Sequence, residues 1–75
     1  MYWMLYDISD NKARNKLIRL CMDCGLVRIQ KSCFFGKIEE QHLQKLEREV
    51  TNLIGKEDCV CLIPVTKAVL EQTRI

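Results

Sequence analysis

Two stretches of this chain, residues 2–8 and 59–65, are apolar on both sides of an extended backbone. Successive side chains of a strand point to opposite faces of a sheet. In the first stretch Tyr2, Met4 and Tyr6 face one way, while Trp3 and Leu5 face the other. In the second, Val60 and Leu62 oppose Cys59, Cys61, Ile63 and Val65. A sheet covered on one side alternates apolar with polar residues, so strands of this kind need cover on both faces. The rest of the chain has to be read for what supplies that cover.

Residues 2–8 read as a strand that runs into Asp7-Ile8-Ser9-Asp10-Asn11, a helix start at which Ser9 or Asp10 serves as N-cap. Ala13, Leu17, Leu20, Cys21 and Cys24 then recur at helical spacing as an apolar stripe, and Gly25 ends the helix in the left-handed conformation. Lys12, Lys16 and Arg19 form a second stripe away from the core, with Arg14 beside it at the first turn. Residues 26–38 are rich in β-formers and give two short strands, or one strongly bent strand, breaking around Lys31-Ser32. Residues 39–54 read as a second helix with Leu43, Leu46, Val50 and Leu53 inward, stopped by Gly55. Residues 58–65 form a further strand, with Pro64 near its end, where a missing N–H costs least. Residues 66–75 are expected to give a helical turn and a short final strand. The order β-α-β-β-α-β is the ferredoxin-like plan: an α+β sandwich with an antiparallel sheet and two helices on one face, in a single domain over residues 1–75.

Two helices on one face leave the other face bare. A chain of 75 residues also hides only ~60% of its unfolded surface, so its core alone is marginal. A second copy packed sheet against sheet answers both needs, and a homodimer is expected. No apolar run approaches the ~18 residues of a membrane span. Asp7 interrupts the opening run, which therefore does not read as a signal peptide, and a cytoplasmic location is expected. The net charge of +2 hides an asymmetry, with seven Lys/Arg against three acids in residues 1–37 and five against seven in residues 38–75. A basic first half suits a polyanion, although an ordinary solvated surface has the same composition.

Few residues can carry chemistry. Five cysteines, an odd number without a secretion signal, read as reduced thiols. Cys21 and Cys24 lie at a helix end, where the dipole opposes thiolate formation, so they do not make a redox pair. Together with Cys59 and Cys61 they have the donor set of a zinc site, but all four also fall on apolar stripes and read as small buried hydrophobes. His42, the only histidine, sits on the polar flank of the second helix and reads as a solvent-edge residue. Asp7 stands at the carboxyl end of the first strand, next to a helix start, where carboxylates and backbone N–H groups converge on ligands. It can hold Mg²⁺, which takes oxygen ligands and keeps its waters, and in a two-fold dimer two copies of Asp7 can share one ion. A capping or strand-end structural role fits it equally well. Arg14, Lys16, Arg28 and Lys31 are candidates for phosphate contacts, and Phe34 and Phe35 either stack on bases or divide between core and interface.

Taken together, Tyr6-Asp7-Ile8-Ser9-Asp10, Arg14 in the first helix, Gly25-Leu26, Arg28-Ile29-Gln30-Lys31-Ser32-Cys33-Phe34 and Leu62-Ile63-Pro64-Val65 resemble the signature of the CRISPR-associated protein two family. The resemblance runs from Tyr2 to about Val65. It implies a ferredoxin-like homodimer that takes part in spacer acquisition, bridging two integrase dimers and holding duplex DNA by its backbone. It also implies a Mg²⁺-dependent endonuclease, described in members as an endoribonuclease and in some as cutting DNA, with single-stranded RNA as a further partner. Asp7 then binds the metal, and Tyr6, Arg14, Arg28, Ser32 and Phe34 contribute to the active site. Cys33 replaces the usual valine, and Phe35 stands where a polar or acidic residue is frequent. The leading reading is thus an adaptation scaffold presenting Lys12, Arg14, Lys16, Arg19 and Lys31 to phosphates. A stand-alone metal-dependent or toxin-like ribonuclease is the alternative.

Overall fold

The computed structural model describes residues 1–74. Its elements are β1 (Tyr2–Asp7), α1 (Asn11–Asp23), β2 (Val27–Gln30), β3 (Cys33–Gly36), α2 (Glu40–Leu53), β4 (Cys59–Pro64) and α3 (Lys67–Glu71). The four strands form one sheet in the order β2-β3-β1-β4. β1 runs antiparallel to both β3 and β4, and β2 antiparallel to β3. This is the ferredoxin-like arrangement expected for the element order.

Local chemistry sets the boundaries. Asp10 is the N-cap of α1, its Oδ2 accepting from the Ala13 backbone N–H at 2.8 Å. At the other end Gly25 takes φ +86°. The Gly25 N–H donates to Met22 O and the Leu26 N–H to Cys21 O, the paired bonds of a Schellman close. The second helix ends differently: Ile54 is extended, and Gly55 is not left-handed but donates its N–H to Asp58 Oδ2 at 2.8 Å. Gly55 therefore stops α2 through a loop bond, not through the conformation expected for a terminating glycine.

The β2–β3 break falls at Lys31-Ser32. Among the described residues no non-glycine has positive φ, which rules out the type I′ turn that matches strand twist in a two-residue hairpin. A bulge at Ile29, between Arg28 and Gln30, takes up the difference.

Met4, Tyr6 and Phe34 point into the core with Leu17 and Cys21 of α1 and Leu43, Leu46 and Val50 of α2; Val60 and Leu62 pack against this cluster. Phe34, Met4, Leu17, Leu46 and Cys21 are fully buried, each of the larger ones worth about 1.5–3 kcal/mol. The opposite face carries Trp3, Leu5 and Asp7 of β1, in register with Phe35 and Cys33 of β3 and with Ile63, Cys61 and Cys59 of β4. Leu5 (42%), Val27 (61%) and Ile63 (43%) are exposed, and Trp3 and Phe35 lie with ring centroids 4.5 Å apart. Helices α1 and α2 thus serve one face, and the other is apolar and open.

The tail departs from expectation. α3 buries no residue, and residues 72–74 carry no strand. The last position, Ile75, lies outside the described residues. No helix among the described residues is long and apolar enough to cross a membrane.

Candidate functional site at the end of the first strand

β1 ends at Asp7, and the chain turns through Ile8, Ser9 and Asp10 into α1. The β2–β3 turn comes alongside, because β3 pairs with β1. Together they enclose a cleft of about 210 Å³ lined by Tyr6, Asp7, Ile8, Arg14, Arg28, Lys31 and Ser32. Five of the six residues assigned to the active site from sequence meet here, joined by Lys31. Asp7 is exposed on the open sheet face. The capping role open to Asp7 is filled instead by Asp10, the N-cap of α1.

The two arginines are held rather than free. Arg14 Nη1 donates to Ile8 O at 3.1 Å, and its Nη2 donates to Asn11 Oδ1. Arg28 Nη2 donates to Lys31 O at 2.9 Å. The same carbonyl accepts from the Tyr6 hydroxyl at 2.8 Å, while the Tyr6 N–H donates to Ser32 O at 3.1 Å. Tyr6 and Arg28 therefore dock the Lys31-Ser32 turn onto β1. That makes Tyr6, 5% exposed, a positioning residue. Phe34 is 0% exposed and stacks on Tyr6 at 6.1 Å. Expected at the active site, it supports the cleft from within the core, where no substrate reaches it.

The basic residues expected to share one ridge divide. Arg14 folds back into the cleft. Lys16 and Arg19 line a groove between α1 and α2 together with Asp23 and Glu49, so the charge there is mixed. Lys12 is exposed on the first turn of α1. His42 is exposed as expected, near Asp23, Cys24, Lys45 and Glu49.

The cysteines are separated by the sheet itself. Cys21 is buried under the helices, where burial, assisted by Cys24, pushes its thiol up to about 12. Cys59 and Cys61 lie exposed on the open face. Zinc bound by all four thiolates is incompatible with that placement. Among the described residues no three His, Cys, Asp or Glu side chains gather into a metal-holding group.

One residue at this end escaped the sequence reading. Asp58, taken there only as the start of a strand, accepts the Gly55 N–H at Oδ2 and the Ser9 N–H at Oδ1, 3.4 Å away. Its position three residues after a helix-ending glycine was the available signal.

Fold and site together define a small ferredoxin-like domain with a carboxylate and a cluster of cations at the exit of its first strand. The family model for CRISPR associated protein Cas2 matches residues 1–73, and the chain belongs to that family. It is 33% identical over 66 residues to a CRISPR-associated endoribonuclease Cas2 of Archaeoglobus fulgidus, covering 87% of this chain and 70% of that one. It is 34% identical over 58 residues to a protein of the same name from Desulforudis audaxviator, covering 77% of this chain and 55% of the relative. The chain thus spans little more than half of that relative's length. A crystal structure of a hypothetical protein from Thermus thermophilus superposes with TM-score 0.80 at 33% identity, covering 87% of this chain and 79% of the other. Streptococcus pyogenes Cas2 superposes with TM-score 0.76 at 16% identity, covering 99% and 95%, and speaks for the fold.

Proposed function

We propose that the chain acts as a homodimer, open sheet face against open sheet face, that grips nucleic-acid phosphates at its strand-end clefts and cleaves phosphodiesters with Mg²⁺ held at Asp7. The observation that carries this reading is the meeting of Asp7 with Arg14, Arg28, Lys31 and Ser32 around one cleft at the border of the bare apolar face. Its wider setting is CRISPR adaptation, where the dimer would hold duplex DNA by its backbone and bridge two integrase dimers. RNA as the cleaved substrate is favoured by the name endoribonuclease that the relatives bear. A stand-alone or toxin-like ribonuclease would use the same site.

Asp7 suits Mg²⁺, which is commonly held by one or two carboxylates plus waters and phosphate oxygens. One subunit brings one such carboxylate to the cleft, and the copy of Asp7 on the second subunit would supply the other. When bound there, Mg²⁺ lowers the pKa of a coordinated water and offsets charge on the phosphoryl oxygens. Arg14 and Arg28, fixed by their bonds to Ile8, Asn11 and Lys31, offer remaining N–H groups in a fork matched to phosphate. Lys31 adds a point charge, and the Ser32 hydroxyl a short-range donor. Because the two guanidinium groups are held before substrate arrives, they stabilise developing charge without reorganising.

The deciding experiment is Asp7→Ala. Loss of Mg²⁺-dependent cleavage, with folding, dimer and DNA affinity retained, is the expected result; unchanged cleavage would remove Asp7 from the chemistry. Duplex affinity should fall steeply with salt and depend little on sequence, since counterion release dominates backbone binding. Capture of an integrase by the same protein, with spacer acquisition followed in the Asp7→Ala variant, tests the adaptation setting.

A further inference from the structure

We infer that Asp58 is a positioning residue of the strand-end cleft, acting through the backbone of Ser9; this rests on the proposed cleavage at Asp7. Asp58 is half-buried at the foot of β4. Its carboxylate joins two loops: Oδ2 accepts the Gly55 N–H at 2.8 Å, and Oδ1 accepts the Ser9 N–H at 3.4 Å. The Asp58 N–H returns a bond to Gly55 O at 3.2 Å, closing the α2–β4 turn on itself. The side chain is thereby oriented by its own loop before it reaches across to the other.

What it holds matters to the site. Asp7 is in register with Cys59, the residue after Asp58. The segment Asp7-Ile8-Ser9 is therefore pinned twice at the start of β4, by strand pairing of Asp7 with Cys59 and by the Asp58 carboxylate at Ser9. Between the two pins lies Ile8, whose carbonyl anchors Arg14. Releasing Ser9 frees the chain just beyond Asp7 and loosens the acceptor that aims Arg14. Small displacements of this kind cost catalysis far more than stability.

A carboxylate is required because two N–H donors converge on one side chain. Asparagine offers a single acceptor oxygen and turns its NH₂ toward the other donor. Asp58→Asn should lower kcat for RNA cleavage by about tenfold or more and speed amide exchange at Ser9, with little change in unfolding temperature. Asp58→Glu should restore part of the rate, and Glu57→Ala, on the same loop but outside the contacts, should leave it unchanged. Fast exchange at Ser9 with unaltered kcat would overturn the inference, as would an unaffected Ser9 amide. If the wild-type chain cleaves nothing, the nuclease reading fails separately. Asp58 is then judged by whether Asp58→Asn shifts the Asp7 amide and Arg14 Nε resonances, and their standing still would overturn it.

Discussion

Cys21 of α1 faces β1, its thiol donating to the Met4 sulfur at 3.1 Å. Burial raises its pKa from 9.0 to about 12, so the folded chain keeps a proton that the unfolded chain releases. The stability this gives is complete below pH 9, because both states are then protonated, and it drains away as pH rises toward 12. The unfolding free energy from urea titrations across that window should fall at up to about 1.4 kcal/mol per pH unit. Cys21→Ala should flatten the decline, leaving the smaller contributions of Cys24 and Cys33, whose thiols burial also raises. Gly25 offers a cleaner case. A Cβ there meets nothing within 4 Å, so Gly25→Ala should cost only the left-handed strain, about 1–2 kcal/mol by chemical denaturation. Both residues were legible in the sequence, since a periodic stripe and a glycine just past its end are local signals. The bond from Ser9 to Asp58 was not, because the two residues lie 49 positions apart.

Among the elements, the β2–β3 hairpin shows what spacing can and cannot convey. Its break at Lys31-Ser32 was readable from the β-formers on either side. The bulge at Ile29 was not, since it depends on the register with β3. The division of the basic residues was hidden for a related reason: Lys12, Lys16 and Arg19 share a helical stripe, but what faces them is decided by where α2 packs. The hairpin also carries a prediction. Tyr6→Phe removes one of two donors to the Lys31 carbonyl, and Arg28 remains to satisfy it. The expected loss is about 0.5–1.5 kcal/mol in denaturant unfolding, with slower cleavage as the Lys31-Ser32 turn loosens. A variant as fast as the wild type would mean that Arg28 and the backbone bond to Ser32 O hold the turn without the hydroxyl.

For the whole molecule, the open face links stability to chemistry. Two strands apolar on both sides were visible in the sequence, and in the fold their second faces lie bare, with α3 burying nothing of itself. Leu5 lies on that face, outside the core cluster, so Leu5→Arg should leave the subunit folded while shifting sedimentation from dimer to monomer. Pairing also makes a claim about Asp7 that single variants do not reach. If the two copies serve one metal, a dimer with one Asp7→Ala chain is as inactive as a dimer with two. Mixing wild-type and Asp7→Ala chains under free exchange then gives activity that follows the square of the wild-type fraction. An equal mixture retains roughly a quarter of full activity when the pair is shared, and roughly half when each cleft works alone. The linear outcome would leave the dimer intact but return catalysis to the single subunit, where one carboxylate and four neighbouring donors would have to suffice.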